Sequence, residues 1–211
     1  MTTPSQAIVP NEYTNTASSG CHEYILPMFY ALCPELGPNT RVLDVGCGNG
    51  SVTAKVAQRG SRILGIDMSE SGIHLARQNC PSARFEVLPA DANVLENLRE
   101  EPFDLVYSLE VIEHLYDVRS FIVGCFTATR SGGTFICSTP YHGYAKNLMI
   151  ALLDGWDKHH SSGIEGEHIQ FFSRKTLSRL LEGVGFRDIQ FRGAGRAPYL
   201  WKSMVVSGVK P

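Results

Sequence analysis

Two carboxylates and an imidazole lie within five residues of one another in the segment SLEVIEHL, positions 108 to 115. They belong to Glu110, Glu113 and His114, which follow FDLVYSL, a segment from Phe103 that is typical of a buried strand. If a helical turn begins at Glu110, the three side chains share one face. Oxygen and nitrogen ligands grouped in this way suit a divalent cation such as Mg²⁺, Mn²⁺ or Zn²⁺.

The residue types in this segment allow three interpretations. A metal held by Glu110, Glu113 and His114 would lower the pKa of a substrate hydroxyl and so prepare it as a nucleophile. Alternatively, His114 would act as a general base without any metal. In the third interpretation Glu113 and His114 form a structural pair that takes no part in chemistry. The sequence leaves all three open.

A glycine-rich turn stands earlier in the chain, in VLDVGCGNG from Val42 to Gly50. Glycine at such a turn lets the backbone approach a ligand closely. A dinucleotide fingerprint has the spacing G-x-G-x-x-G, whereas this turn has G-x-G-x-G followed by Ser51, so a nicotinamide cofactor is disfavoured. The next hydrophobic segment ends at Asp67, where an acid commonly holds a ribose hydroxyl pair.

Hydrophobic segments and helical segments alternate along the chain, which predicts an α/β fold with a doubly wound, mostly parallel, seven-stranded sheet. We expect a single domain over 1–211, with an N-terminal cap or lid at 1–39 and a substrate-side insertion at 140–168, after the fifth strand. The cap helix is expected to stop at Gly37-Pro38, and the helix after the fourth strand is expected to reach about Arg130, before a turn at Gly132-Gly133. The predicted strands are RVLDVG, RILGID, ARFEVL, FDLVYSL, GTFICST, FRDIQF and KSMVVSGV.

Four motifs in order resemble those of the class I S-adenosylmethionine-dependent methyltransferases. The strand with its glycine turn matches their D-x-G-x-G-x-G motif, GIDMS their ribose-binding strand end, PADAN their adenine-binding loop, and FDLVYSLEVIEH their fourth motif. The resemblance covers roughly Thr40 to Pro140 and implies a Rossmann-like methyltransferase fold that binds S-adenosylmethionine and releases S-adenosylhomocysteine.

The same resemblance implies roles for individual residues. Asp44, Gly46 and Gly48 would line the methionine end of the cofactor, and Asp67 would bind the ribose hydroxyls. Met68 would pack on the adenine, and Asp91 would accept a hydrogen bond from the adenine amino group. The complete set of expected cofactor-binding residues is Asp44, Gly46, Cys47, Gly48, Asp67, Met68, Asp91, Ala92 and Leu109.

Glu110, Glu113 and His114 form an E-x-x-E-H pattern that resembles two groups of O-methyltransferases, the UbiG type of ubiquinone biosynthesis and the small-RNA 2′-O-methyltransferases. In those groups the pattern provides metal ligands, and in the second group the insertion adds a histidine, for which His168 and His142 are candidates here. The neighbourhood of the insertion also resembles the UbiG-type and methyltransferase type 11–12 enzymes. Its expected substrate-binding residues are Tyr141, His142, Tyr144, Lys146 and His168.

The leading hypothesis is methyl transfer to a hydroxyl oxygen of a small, acidic or sugar-like metabolite. Glu110, Glu113 and His114 are the expected catalytic residues. The alternatives are a small-molecule N-methyltransferase, because an amine with a free lone pair needs little beyond positioning, and a noncatalytic S-adenosylmethionine-binding module.

Composition restricts the partners. A formal charge of −2 over 211 residues, without a basic stripe, gives no reason to expect nucleic acid. The chain has no apolar run long enough to span a membrane, and its first residues do not resemble a secretory signal. The apolar residues between Lys146 and Trp156 are expected to pack in the core of a lid, with weak contact to a membrane surface as the alternative. Six dispersed cysteines fit a reducing cytoplasm, and the oligomeric state is not indicated.

Overall fold

A computed structural model describes residues 12–160 and 168–211 of the chain. Its central sheet has seven strands in the order β3-β2-β1-β4-β5-β7-β6. The strands are β1 (Arg41–Val45), β2 (Arg62–Asp67), β3 (Arg84–Val87), β4 (Phe103–Leu109), β5 (Thr129–Pro140), β6 (Arg187–Ala194) and β7 (Ser203–Val209). Strands β1 to β5 are parallel, and β7 runs antiparallel to β5 and β6. The predicted doubly wound, mostly parallel sheet is confirmed.

Helices cover both faces of the sheet. On one face, Phe29 of the first helix packs in a cluster with Val42 of β1. On the other face, Phe121 packs in a cluster with Leu43. Because adjacent strand residues point to opposite faces, β1 carries hydrophobic residues on both faces, and its charged residues are Arg41 at the start and Asp44 near the end. The helices are α1 (His22–Tyr30), α2 (Ser51–Ala57), α3 (Glu70–Asn79), α4 (Val94–Leu98), α5 (Val118–Ala128), α6 (Tyr144–Leu152), α7 (Trp156–His160) and α8 (Arg174–Val184), with a 3₁₀ turn at Ile112–His114.

Strand β5 begins earlier than predicted. Helix α5 ends at Ala128, and β5 already pairs with β4 at Thr129 before the register shifts and resumes at Thr134. The amide of Gly132 donates to the Lys210 carbonyl at 2.7 Å, so this stretch remains tied to the end of the chain. The Gly132-Gly133 pair therefore forms a bulge within the strand, where a turn before the strand was predicted.

Two helices also differ from the prediction. Helix α1 ends at Tyr30 and does not continue to Gly37-Pro38. Pro34 explains the early end, because the residue before a proline is disfavoured in the helical region. Helix α4 was not predicted. It has five residues, of which only Val94 is buried, so its sequence carries too short an apolar pattern to recognise.

The apolar residues of α6 and of the segment after it face outward. The prediction that they pack in the core of a lid is wrong, because the buried residue of α6 is Lys146. The exposed apolar residues are Tyr144, Leu148, Met149, Leu152, Leu153 and Trp156. Weak contact of this face with a membrane surface stays a prediction. Within the described residues, no helix is both long enough and apolar enough to cross a membrane.

Candidate active site

The glycine-rich turn between β1 and α2 follows a backbone path that side chains would obstruct. Gly46, Gly48 and Gly50 have φ angles of 79°, 51° and 73°, in the left-handed region that glycine adopts at little cost. A Cβ added to Gly46 would lie 2.5 Å from Val111 Cγ2. The Gly46 amide donates to the Ile66 carbonyl at 2.8 Å, which holds the turn against β2. Beside the turn is an open cavity of about 1760 Å³ at the carboxyl ends of the strands.

Asp44 lies in the lining of this cavity and is only 3% exposed. Its Oδ2 accepts hydrogen bonds from Thr53 Oγ1 at 2.6 Å and from the Tyr107 hydroxyl at 2.7 Å. Burial raises the pKa of Asp44 to about 7, although the hydrogen bonds from these two donors lower it. The carboxyl group is therefore fixed in position by neighbours on α2 and β4.

Asp67 ends β2 and is held by the backbone of the two segments beside it. Its Oδ2 accepts from the Gly48 amide and its Oδ1 from the Ser69 amide, both at 2.8 Å. A carboxylate has about four acceptor positions, so the group can still accept from a further donor such as a ribose hydroxyl. Burial raises the pKa of Asp67 despite the backbone donors Ser69, Gly48 and Met68. The other predicted cofactor residues in the cavity lining are Gly46, Cys47, Gly48, Met68 and Leu109.

The loop predicted to bind adenine reaches the cavity with different residues from those expected. Leu88 and Ala90 line the cavity, whereas Asp91 and Ala92 are not among its lining residues. The Asp91 carboxylate accepts from the Asn93 amide at 2.8 Å, and the Ala92 amide donates to Ser120 Oγ at 3.0 Å. These local bonds turn both residues toward the start of α4 and toward α5.

Glu110 does not share a helical face with Glu113 and His114, so this part of the prediction is wrong. Its φ angle is 55°, and the 3₁₀ turn begins only at Ile112. The Glu110 carboxylate instead accepts from Ser138 Oγ at 2.8 Å and Ser203 Oγ at 3.2 Å. Desolvation raises its pKa to about 7, opposed by these hydroxyls and by Lys146. Glu110 still lines the cavity, but it faces the ends of β5 and β7.

Glu113, His114 and His168 come together where the prediction had Glu110, Glu113 and His114. One potential ligand atom from each of the three lies within 4.8 Å of the others. The rings of His114 and His168 have centroids 4.9 Å apart, and His168 Nε2 lies 4.0 Å from Glu113 Oε1. The backbone brings His168 here, because the amides of Ile169 and Gln170 donate to the Glu113 carbonyl at 2.9 and 3.0 Å.

The Glu113 carboxyl group is the most isolated polar group of this cluster. The residue is 0% exposed, and neither carboxylate oxygen has a hydrogen-bond partner among the described residues. Burial, and secondarily the charge of Glu110, holds the pKa of Glu113 well above its usual range. His114 and His168 line the cavity in front of it. A buried acid without partners is costly, so it indicates either a bound proton or a cation.

The predicted substrate residues divide into two groups. His142, Lys146 and His168 line the cavity. Tyr141 and Tyr144 do not: the Tyr141 ring packs among core aromatic residues, with the Trp201 ring centroid 5.2 Å away, and Tyr144 is 84% exposed. Tyr141 directly follows β5, where side chains alternate between the two faces of the sheet, and Tyr144 lies on the outward face of α6.

Lys146 is a buried cation, only 3% exposed. Its Nζ donates to the carbonyls of Tyr141 at 2.8 Å and Lys202 at 3.3 Å. Desolvation and the nearby Arg196 lower the pKa of Lys146 to about 8. An ammonium group has three N–H donors, so one N–H remains for a further hydrogen-bond acceptor.

Several residues that were not predicted line the cavity near Lys146. Arg196 and Lys202 come from the connection between β6 and β7, and Ser203 begins β7. The glycines and cations of RGAGRAPYLWK were a signal for a functional loop, but nothing in the sequence placed that loop beside the insertion. Aromatic residues of the insertion and of the segment after it complete this wall, namely His142, Trp156, His159, His160 and Phe171.

Comparisons with known proteins agree with this geometry. A family model described as a methyltransferase domain matches residues 20–190. A ubiquinone biosynthesis O-methyltransferase of Ruegeria sp. (strain TM1040) is 30% identical over 166 residues, which are 77% of this chain and 66% of that protein. The protein of the same name from Pseudomonas fluorescens (strain Pf0-1) is 39% identical over 101 residues, 47% of this chain and 44% of its own. The chain thus spans between 44% and 66% of the length of these two relatives.

A solved structure supports the fold independently. Magnesium protoporphyrin IX methyltransferase (ChlM) of Synechocystis PCC 6803, with bound SAH, superposes with a TM-score of 0.65 at 18% identity over 89% of this chain and 80% of its own. The sheet order and the glycine-rich cavity define a Rossmann-like methyltransferase domain. The chain belongs to the methyltransferase-domain family, within the class I S-adenosylmethionine-dependent methyltransferases.

Proposed function

We propose that this domain transfers the methyl group of S-adenosylmethionine to a hydroxyl oxygen of a small acceptor that carries an anionic group. The cluster of Glu113, His114 and His168 beside the cofactor cavity is the observation that carries the proposal. A hydroxyl is a weak nucleophile until its proton is removed, so O-methylation needs a group that accepts or displaces that proton. The names of the two sequence relatives, both O-methyltransferases, support oxygen as the acceptor atom.

The donor set of this cluster fits a divalent cation. A carboxylate and two imidazoles are ligands that Zn²⁺ and Mn²⁺ accept, and both Glu113 oxygens lack a hydrogen-bond partner among the described residues. Glu113, His114 and His168 would hold the ion, and a bound cation would lower the pKa of an acceptor hydroxyl. Glu110 is not part of this ligand set, because Ser138 and Ser203 occupy its oxygens.

The same residues also allow proton removal without a cation. His114 and Val111 both line the cavity, and Val111 lies close to Gly46 of the glycine-rich turn, which supports an imidazole near the methyl group of a bound cofactor. The imidazole takes the hydroxyl proton, and the oxygen then attacks the methyl carbon and displaces the sulfur. The C–S bond breaks as the O–C bond forms, and S-adenosylhomocysteine leaves with the electron pair.

The charges of the cavity support an anionic acceptor. Asp44 and Asp67 lie at the glycine-rich end, while Lys146, Arg196 and Lys202 line another part of the cavity together with one acid, Glu110, so that cations outnumber carboxyl groups there. Cations in a partly enclosed cavity attract a carboxylate or phosphate more strongly than they would in bulk water. The acceptor would therefore place its anionic group near the β6–β7 connection and its hydroxyl near His114.

The test combines an acceptor assay with a metal titration. Methyl transfer from labelled S-adenosylmethionine is measured with 3,4-dihydroxybenzoate as the hydroxyl probe and 4-aminobenzoate as the amine probe. Mg²⁺, Mn²⁺ and Zn²⁺ are titrated into chelator-treated protein with S-adenosylhomocysteine present. We compare wild type with His114→Ala and with the control His74→Ala, which alters an exposed residue of α3.

The expected result is methylation of 3,4-dihydroxybenzoate that His114→Ala abolishes and His74→Ala preserves. Saturable metal binding that is lost in His114→Ala would show that the cluster holds a cation. The same loss of activity in a protein that binds no metal would show that His114 removes the hydroxyl proton. Methylation of 4-aminobenzoate alone would overturn oxygen transfer in favour of an N-methyltransferase. Cofactor binding without transfer to either probe would count against the proposal and favour a noncatalytic binding module.

A further inference from the structure

The chain ahead of α1 runs along the glycine-rich turn, where Asn49 makes the two shortest side-chain hydrogen bonds to residues 15 to 17. Asn79 Nδ2 adds a bond to the Thr16 carbonyl at 3.5 Å, and Lys55 Nζ one to Ser18 Oγ at 3.2 Å. Asn49, the residue between Gly48 and Gly50, donates from Nδ2 to the carbonyls of Asn15 and Ala17, both at 2.9 Å. Its Oδ1 accepts from the Ser51 amide at 3.2 Å, and the residue is 7% exposed. Both donors of Asn49 are thus used to hold residues 15 to 17, which we call the strap.

Tyr13, at the start of this segment, lies against the turn itself. A Cβ added to Gly48 would be 2.6 Å from the Tyr13 hydroxyl oxygen, and one added to Gly72 would be 3.0 Å from Tyr13 Cδ2. The Tyr13 amide donates to Ser71 Oγ at 3.1 Å. The ring therefore occupies the space that the absent side chains of Gly48 and Gly72 leave open, between the turn and the start of α3.

This position places Tyr13 next to the group that faces a ribose. The Gly48 amide donates to Asp67 Oδ2, so the peptide on which Tyr13 packs also holds the Asp67 carboxylate. Tyr13 and Asp67 both line the cavity. A phenol supplies an apolar ring and a hydroxyl that donates or accepts, which suits contact with the hydroxyl-bearing edge of a nucleoside.

We propose that Tyr13 is a cofactor-binding residue and that the strap fastened by Asn49 holds it over the ribose side of bound S-adenosylmethionine. This inference rests on the cofactor site and does not depend on the acceptor. Tyr13 is half-buried while the rest of residues 12 to 19 is exposed, so few apolar contacts hold the strap in the free protein. Such segments open at low free energy, and a ligand that contacts only the closed form stabilises it.

The test measures two quantities: the affinity for the cofactor product, and the protection of the backbone amides of the strap from hydrogen exchange. The dissociation constant of S-adenosylhomocysteine is determined by calorimetry for wild type, Tyr13→Ala, Tyr13→Phe, Asn49→Ala and the control Asn97→Ala, whose side chain is exposed on α4. Hydrogen exchange of the amides of residues 13 to 18 is followed with and without S-adenosylhomocysteine. Thermal unfolding of each variant without ligand verifies that it is folded.

We expect Tyr13→Ala and Asn49→Ala to raise the dissociation constant about tenfold, the loss expected for one aromatic contact, and Asn97→Ala to leave it unchanged. Tyr13→Phe separates the ring from the hydroxyl and keeps most of the affinity if the ring makes the contact. Ligand protection of the strap amides is expected in wild type and absent in Asn49→Ala. Unchanged affinity in Tyr13→Ala, with no ligand protection of the strap in wild type, would overturn the proposal. Tyr13→Ala carries this test even if Asn49→Ala fails to fold.

Discussion

The two halves of the cavity are built from different kinds of structure. The cofactor half consists of the turn after β1 and the ends of β2 and β4, where hydrogen bonds such as that from Gly46 to Ile66 fix the backbone. The acceptor half consists of side chains from the 3₁₀ turn, α6, α7 and the β6–β7 connection. Under the proposed function, backbone geometry would set the position of the cofactor, whereas side chains on segments outside the parallel sheet would select the acceptor.

The largest expected effect comes from a substitution in the cofactor half. Gly46→Ala places a methyl group 2.5 Å from Val111 Cγ2 at a φ angle of 79°, so the turn must shift. We expect affinity for S-adenosylhomocysteine, measured by calorimetry, to fall at least about a hundredfold, because strain and clash both act at the binding surface. Gly183→Ala is the matched control, since its Cβ would meet nothing within 4 Å. Retained affinity in Gly46→Ala would mean that the turn does not define the site.

The next prediction concerns the acceptor half. Glu113→Gln removes the isolated carboxyl group behind His114 and His168 with little change in shape. We expect kcat for methyl transfer to 3,4-dihydroxybenzoate to fall about a hundredfold or more, because glutamine can neither bind a cation as a carboxylate nor exchange a proton with His114 and His168, while affinity for S-adenosylhomocysteine stays within about twofold. Glu182→Gln, exposed on α8, is the control. A parallel loss of cofactor affinity would contradict the division between the two halves.

The difference between the halves also explains what the sequence could predict. The cofactor half follows from local patterns, because the D-x-G-x-G-x-G spacing and the strand end at Asp67 fix backbone features within a few residues. His168 was indicated by the resemblance of its segment to the small-RNA enzymes, but the spacing within SLEVIEHL did not contain it, because the backbone bonds that bring it to Glu113 come from Ile169 and Gln170. Arg196 comes from the β6–β7 connection, and no local pattern placed it in the cavity. Glu110 was misplaced because its positive φ angle breaks the assumed helical turn.

A smaller effect is expected from Lys146, whose substitution should change acceptor binding rather than the methyl-transfer step. Lys146→Met keeps much of the side-chain volume but removes the buried ammonium from the acceptor half. We expect KM for 3,4-dihydroxybenzoate to rise about tenfold and KM for the neutral probe catechol to change less than about twofold. Lys175→Met, at an exposed position on α8, should change neither value. Equal increases for both probes would show that Lys146 supports the fold of the insertion and does not bind an anion.

The last prediction concerns the pH dependence of a charge within the cofactor half. The pKa of Asp44 is raised by burial from 3.8 to about 7, so between these values the folded chain holds a proton that the unfolded chain has released. The stabilisation is complete below about pH 4 and is lost as the pH rises through 7, with a slope of at most about 1.4 kcal/mol per pH unit.

Urea unfolding of the ligand-free protein between pH 5 and 8 checks this sign. Asparagine keeps an oxygen for the donors Thr53 and Tyr107, so Asp44→Asn should remove the contribution of Asp44 to the pH dependence without removing both hydrogen bonds. Wild type should lose stability relative to the variant as the pH rises toward 7, and the difference should level off above it. Glu110 titrates in the same range, but it is present in both proteins and cancels. Asp157→Asn, at an exposed position, should reproduce the wild-type profile. A constant difference between wild type and Asp44→Asn would mean that Asp44 is already ionised in the folded cofactor half, held by its donors in spite of its burial.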